Sequence, residues 1–306
     1  MSVPEQFEVG EWIEDAAAGI NRPVRPQDVG LLLRKLKEFG LVLPFAKSIP
    51  VEDQENQAAI HEAVTRAAFL RSACLQELDS ALFALLAARI PVSIHSAVAA
   101  YLTGSETLLP DMELRECEIR IPEGSFVDAQ RVLGRAGFRA KDRHSDLLLC
   151  SSQAAPPIQL RRAHPADLVF AMPGRLRECP EAVKSPLPTQ LITELMQDFS
   201  KLDHDSLRLL WGVRALLLSD FRDEIDWLKF AKSLAQAGVM GRAIAGFFIL
   251  SQQWRVKLEE PIQSLVSSRT RGLSGELLRA WFSPRELLRP SVPQVRQLLG
   301  RMIALR

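Results

Sequence analysis

The amino-acid sequence predicts an α+β protein in which a small mixed β-sheet lies between two helical regions, with more helix than strand overall. Before residue 89 and after residue 165, apolar side chains recur at helical spacing, whereas the segment between contains short runs that alternate apolar and polar residues. Apolar residues make up 47% of the 306 residues, which is enough to bury a large core. The predicted organisation is a helical region over 1–88, an α/β core over 89–165, and a helical domain over 166–306 that ends in an arginine-rich tail.

The charge balance and the hydropathy exclude several classes of protein. Lys and Arg number 38 against 37 Asp and Glu, and a net charge of +1 is too balanced for a generic polyanion binder. The longest apolar stretches are interrupted by Arg89 and Arg214, so no segment reaches the ~18 residues of a membrane helix. Acidic side chains stand near the start, where a secretory signal carries basic ones. We expect a cytoplasmic protein without a membrane partner.

The first region contains two predicted helices, because apolar positions recur at helical spacing over 26–47 and over 55–88. A short β-rich run follows at 90–94, and a further helix is predicted to begin at Ser96, a residue type that caps helices well. A strand followed by a capped helix indicates α/β packing.

The clearest strand prediction covers 114–122, where the residues alternate with a period of two. Cys117, Ile119 and Ile121 share one face of this strand, and Glu116, Glu118 and Arg120 share the other. An amphipathic helix is predicted over 126–137, where Gly137 ends it, and two further strands over 146–151 and 157–161.

After Pro165 the pattern is helical again. Helices are predicted over 188–202, 206–221, 225–238, 241–254 and 291–306, and their spacing follows no fixed repeat length, so a solenoid is not predicted.

Cysteine and histidine spacing gives no indication of a metal site. The four cysteines at 74, 117, 150 and 179 lie too far apart for a paired-cysteine zinc knuckle, and the five histidines show no ligand spacing. We expect reduced thiols that pack as small apolar groups.

Several strings resemble a known family in their order and spacing. They are IPV at 90–92, ECEIRIP at 116–122, the helix at 126–137 followed by Phe138-Arg139, LLW at 209–211 and IDW at 225–227. From about residue 31 to its end, the chain resembles the uncharacterised bacterial nucleotidyltransferase family of the polymerase β-like superfamily. The resemblance implies a nucleotidyltransferase-like core in the predicted sheet.

The departures from this family fall on its catalytic positions. His95-Ser96 stands where the family has Lys-Gly, and Glu116 and Glu118 stand where it has two metal-binding aspartates. Gln159-Leu160-Arg161 stands in place of Glu-Leu-His, so the third carboxylate is replaced by an amide. The family's Asp in the helix over 206–221 corresponds to Arg214, which we expect to pair with an acid.

By resemblance, the activity is transfer of a nucleoside monophosphate from a nucleoside triphosphate to an unknown acceptor, with Mg²⁺. Glu116 and Glu118 are the metal ligands in this hypothesis, and Gln159 completes the catalytic set. His95, Ser96, Arg120 and Arg161 then lie near the nucleotide phosphates. The chemistry suits the pattern, since carboxylates at i and i+2 of a strand point the same way and can hold metal ions against the triphosphate.

A second hypothesis gives the same residues no catalytic role. Glu-x-Glu-x-Arg is also the ordinary polar face of a half-solvated strand, and Arg120 can pair with Glu118 instead of with a phosphate. The protein is then a catalytically degenerate relative, a pseudoenzyme that serves as a binding or assembly module.

The two ends of the chain support a third hypothesis. Between residue 268 and the last residue there are eight arginines and two glutamates, whereas the first twenty residues hold five acids and no base. An arginine-rich helical tail can bind nucleic acid or an acidic protein as an adaptor. Alternatively, the acidic head and basic tail pair within one molecule or across a homodimer.

Overall fold

The computed structural model of the chain describes residues 8–95, 98–99, 112–114, 117–143, 147–151, 157–163, 170–171, 183–186, 188–201, 206–270 and 276. Within these ranges helices outnumber strands, and a mixed sheet lies between an N-terminal and a C-terminal set of helices. The predicted α+β fold class is therefore confirmed. Ser96, Glu116 and the predicted helix over 291–306 lie outside the described residues.

The N-terminal region consists of four helices, α1 (Val9–Ala17), α2 (Pro26–Phe39), α3 (Val42–Phe45) and α4 (Gln54–Ala87). The helix predicted over 26–47 is divided at Gly40, whose φ of 67° is left-handed. Glycine adopts this conformation readily, so its backbone N–H turns back to the carbonyls of Leu36 and Lys37 and ends α2. The helix predicted over 55–88 corresponds to α4, which Asp53 caps by accepting a hydrogen bond from the Asn56 N–H.

Seven strands form the sheet within the described residues: β1 (Val92–His95), β2 (Cys117–Pro122), β3 (Arg139–Arg143), β4 (Leu147–Ser151), β5 (Ile158–Ala163), β6 (Phe170–Ala171) and β7 (Val183–Pro186). Their order is β3-β4-β5-β2-β1-β7-β6. The sheet is mixed, because β2 runs antiparallel to β1 but parallel to β5, and β1 runs parallel to β7.

Three of these strands were not predicted from the sequence. β3 is the polar string RAKDR, and β6 and β7 are only two and four residues long, so none shows an alternating apolar pattern. β7 follows residue 165 and pairs with β1, so the sheet extends beyond the segment in which strands were predicted.

The helices cover both faces of the central strands. On one face, apolar residues of β1, β2 and β5 lie in the core, and α4 and α5 (Phe126–Arg135) pack near them. The C-terminal helices are α6 (Pro188–Phe199), α7 (Ser206–Leu217), α8 (Trp227–Gln236), α9 (Met240–Phe248) and α10 (Glu260–Arg269). A π-helical turn, Ile249–Gln253, extends α9, and α6 packs against α7, α8 and α9.

In the part of the chain that the structure describes, none of the helices combines the length and apolar character required to cross a membrane.

Candidate functional site

The register of three adjacent strands brings the predicted polar positions together. His95 of β1 pairs with Glu118 of β2, which pairs in turn with Gln159 of β5. In a parallel row, Ser93 pairs with Arg120 and Arg120 with Arg161. We call these six side chains, Ser93, His95, Glu118, Arg120, Gln159 and Arg161, the polar face.

Glu118 is held by two arginines of the polar face. The Nε of Arg120 donates to Glu118 Oε1 at 2.7 Å, and Nη1 of Arg161 lies 3.4 Å from Glu118 Oε2. Only 6% of Glu118 is exposed. Each carboxylate oxygen therefore faces a guanidinium, and the negative charge of Glu118 is compensated within the protein.

His95 is enclosed by a second set of contacts. Its Nε2 lies 2.8 Å from the Oγ of Ser93, and its Nδ1 lies 2.9 Å from both carboxylate oxygens of Glu194 in α6. Ser93 and His95 are each 0% exposed. A residue expected near the nucleotide phosphates is thus fully buried and bonded to protein groups.

Glu194 connects helix α6 to the polar face. Arg120 Nη1 donates to Glu194 Oε1 at 3.1 Å, and the amide of Gln190 donates to the same oxygen at 3.2 Å. Burial by itself raises the pKa of Glu194, but the hydrogen bond and charge of His95, the charge of Arg120 and the Gln190 hydrogen bond together leave that pKa below its usual value. Glu194 is therefore a charged carboxylate, and Arg120 bridges it to Glu118.

Ser93, His95 and Glu194 stand in the order of a nucleophile, a base and the group that orients the base. The burial of Ser93 and His95 closes this arrangement to a substrate, because the Ser93 hydroxyl has no accessible surface. The three residues instead form a hydrogen-bonded link between β1 and α6.

The structure brings together five of the seven predicted site residues, namely His95, Glu118, Arg120, Gln159 and Arg161. The other two, Ser96 and Glu116, lie outside the described residues. Among the described residues no three His, Cys, Asp or Glu side chains are grouped so that they could hold a metal ion. Of the two predicted Mg²⁺ ligands, Glu118 is the one within the described residues, and its carboxylate, already paired with Arg120 and Arg161, does not fit the ion.

Three contributors to the site, Ser93, Gln190 and Glu194, were not predicted. Glu194 is the one that joins the helix to the sheet. The sequence feature that could have indicated Glu194 is its place on a helix among apolar residues. Its neighbours Leu191, Ile192 and Leu195 are all buried. Its partner could not be inferred, because His95 is 99 residues away.

For Arg214 of α7 an acidic partner was predicted. No acid lies within ion-pair distance of it in the described part of the chain, and its guanidinium carbon is 4.5 Å from the centre of the Trp211 ring. Burial lowers the pKa of Arg214. Among the described residues, the Arg214 cation is therefore stabilised by the Trp211 ring.

No protein-family model matches the chain, and no curated protein sequence matches it. Among solved structures, the chain is similar to the antibiotic-resistance factor ANT(2'')-Ia, an aminoglycoside nucleotidyltransferase, with a TM-score of 0.38 and 11% identity over 55% of this chain and 97% of that chain.

The strand order and register define the class of this protein. β1, the Glu-containing strand β2 and the later strand β5 lie side by side, with their polar positions in one row. The chain is an α+β protein with a mixed sheet between helical regions.

Proposed function

We propose that this chain is a catalytically degenerate nucleotidyltransferase-like protein that serves as a binding or assembly module. The observation that carries this proposal is the double pairing of Glu118 with Arg120 and Arg161. Metal-dependent nucleotidyl transfer needs carboxylates that are free to hold Mg²⁺ against the triphosphate. The one predicted metal ligand that the structure describes is already neutralised by two cations.

Releasing Glu118 from these pairs is costly. Removing one partner of a buried ion pair typically costs about 3–5 kcal/mol, because the other charge remains desolvated. A divalent cation at Glu118 would also stand beside the guanidinium groups of Arg120 and Arg161, which repel it. The two arginines therefore oppose metal binding in two ways, because they engage the Glu118 carboxylate and because their positive charges repel the metal ion.

The neighbouring positions support the same proposal. Gln159, beside Glu118 in the register, offers a neutral amide where the family has a carboxylate. Across the interface with α6, the charges of Glu118 and Glu194 are balanced by those of Arg120 and Arg161. The assembled face thus has no excess negative charge to concentrate Mg²⁺.

An active nucleotidyltransferase is the second candidate, and the strand register favours it. His95, Glu118 and Gln159 occupy adjacent strands in the order that the family resemblance implies. In this candidate, arriving phosphates draw Arg120 and Arg161 away from Glu118, and the released carboxylate then binds the metal together with Glu116. Nucleotide binding then depends on both Mg²⁺ and Glu118.

Calorimetric titration of the full chain with each nucleoside triphosphate, with and without Mg²⁺, separates the two candidates. We expect no Mg²⁺-dependent saturation at millimolar nucleotide for the wild-type protein. The comparison variants are Glu118→Gln, which keeps the size of the side chain, and Glu123→Ala, whose parent side chain is 77% exposed. Mg²⁺-dependent binding that is lost in Glu118→Gln and retained in Glu123→Ala would overturn the proposal in favour of the transferase.

The partner of the proposed module is predicted from the arginine-rich tail. The arginines from residue 277 onward lie outside the described residues, so an acidic protein or nucleic acid stays a prediction. Retention of the full chain on RNA or DNA at low salt, weakening as salt rises, is the expected signature of a nucleic-acid partner. Absence of retention at low salt would exclude the nucleic-acid adaptor.

A further inference from the structure

Two cysteines that the proposed function does not use lie in direct contact in the core. Cys74 belongs to α4 and Cys117 to β2, and their Sγ atoms are 2.9 Å apart. Both residues are 0% exposed, and both are reduced thiols. The contact joins the N-terminal helical region to the strand that carries Glu118.

We propose that Cys74 and Cys117 form a thiol modification site, at which a small-molecule disulfide oxidises the pair to an internal disulfide. A disulfide bond is ~2.05 Å long, so the two sulfur atoms need to approach by only about 0.9 Å. The same two atoms make a thiol–thiol hydrogen bond in the reduced protein. The positions of the two sulfur atoms in the reduced protein are thus close to those that a disulfide requires.

A thiophilic metal is a poorer match for this pair than oxidation. Structural sites for metals such as zinc use four ligands in a tetrahedron. No group of three or more His, Cys, Asp or Glu residues that could hold a metal occurs within the described ranges. A disulfide needs only the two sulfur atoms that are present.

The reaction requires an oxidant, and glutathione disulfide is a suitable class of reagent. One protein thiolate attacks its S–S bond, forms a mixed disulfide and releases one glutathione thiolate. The second protein thiolate then attacks the protein sulfur of that mixed disulfide, forms the internal S–S bond and releases the second glutathione. The two protein thiols lose two protons to solvent and two electrons to the glutathione, which is reduced to two thiols.

Burial determines the kinetics and the product. Because neither cysteine is exposed, the oxidant reaches the thiols only when α4 opens locally from β2. A glutathione adduct is too large for the closed core, whereas the internal disulfide lets the core close again. The stable product is therefore the internal disulfide, and its formation is faster in a low concentration of guanidinium chloride that promotes opening.

The position of the pair couples it to β2 without disturbing the polar face. Cys117 precedes Glu118 in the strand, so its side chain points to the opposite face, towards α4. The bridge joins residues 43 apart in sequence and restricts the unfolded chain. We expect oxidation to raise Tm by about 5 °C or more, and reduction to reverse the change.

Peptide mapping of the full-length wild-type protein after native oxidation with glutathione disulfide tests the proposal. Trypsin releases Cys74 in the peptide 72–89 and Cys117 in the peptide 116–120. We expect these two peptides to be joined, the intact protein to have lost the mass of two hydrogens, and dithiothreitol to separate the peptides. Disulfides that join either peptide to Cys150 or Cys179, or a lasting glutathione adduct on either cysteine, would overturn the proposal.

A matched pair of variants provides the control. Cys150→Ser with Cys179→Ser leaves only the proposed pair, and the loss of two hydrogens should persist in this protein. Adding Cys74→Ala leaves Cys117 without a partner, and the loss should disappear. If the thiols of the two-cysteine protein stay reduced even where guanidinium chloride opens the structure, the proposal is contradicted. The peptide map of the wild-type protein tests the proposal whether or not these variants fold.

Discussion

His95 and Glu194 are 99 residues apart in the sequence, yet Nδ1 of His95 lies 2.9 Å from both carboxylate oxygens of Glu194. Through this contact, helix α6 of the C-terminal region is joined to the polar face, whose six side chains all belong to the sheet. Arg120 strengthens the link because it donates to Glu118 on its own strand and to Glu194 on the helix. The site is thus a hydrogen-bonded junction between sheet and helix.

Glu194→Gln should destabilise the protein at pH 7, by about 3 kcal/mol in urea unfolding, because it leaves Arg120 without one of its carboxylates. The pKa of Glu194 is lowered in the folded state, so its contribution is complete above its ordinary pKa and is lost as the pH falls through the lower, folded value. The difference from wild type should therefore shrink in acid. Asp198→Asn, on the same helix at a more exposed position, serves as control, and a loss of equal size at every pH would contradict the prediction.

Asp79→Asn and Asp53→Ala should act in opposite directions on the same helix. Burial raises the pKa of Asp79, so the folded state disfavours its charge, and its removal should raise Tm at pH 7 but not below the ordinary pKa. Hydrogen bonds from Asn56 lower the pKa of Asp53, and loss of this helix cap in Asp53→Ala should lower Tm at pH 7. Calorimetric melting at pH 7 and pH 3 measures both, and shifts of the same sign at pH 7 would contradict the assignment.

Gly246→Ala should destabilise the packing between α9 and α6. A Cβ at this position would lie 2.8 Å from Cε1 of Phe199 and 2.9 Å from Cε of Met196, so we expect a cost of about 1–3 kcal/mol in urea unfolding. Gly134→Ala in α5 meets no atom within 4 Å and should stabilise the protein by about 0.5–1 kcal/mol. Equal effects of the two substitutions would show that close packing is not the cause.

Gln159→Glu combined with Arg161→Gln should create metal binding that we do not expect of the wild-type protein. The first change places a carboxylate beside Glu118 in the register, and the second removes one of the two cations that hold Glu118. Weak binding of Mg²⁺ or Mn²⁺ should appear in calorimetry with the double variant and not with Gln159→Ala combined with Arg161→Gln. Failure of the double variant to bind either ion would contradict the explanation based on ion pairs.

Much of the fold follows from local patterns. The alternation over 117–121 placed Glu118 and Arg120 on the face opposite Cys117 and Ile119, and the structure has them so. The long helix α4 begins and ends within one residue of its prediction. Both results rest on backbone periodicity, which neighbouring residues are enough to reveal. The strands β3, β6 and β7 were not predicted, because their own residues show no strand pattern. They are strands because they pair with neighbouring strands of the sheet.

The sequence by itself determined which residues lie on the polar face of β2, and its resemblance to a known family predicted Gln159 in place of a third carboxylate. Only the tertiary structure decided what those residues do. In the folded protein, His95 is buried in contact with Glu194, and Arg161 of the parallel strand β5 pairs with Glu118. Cys74 contacts Cys117 in the core. Such contacts depend on how helices and strands far apart in the chain pack together, and the period of a single element carries no information about its distant neighbours.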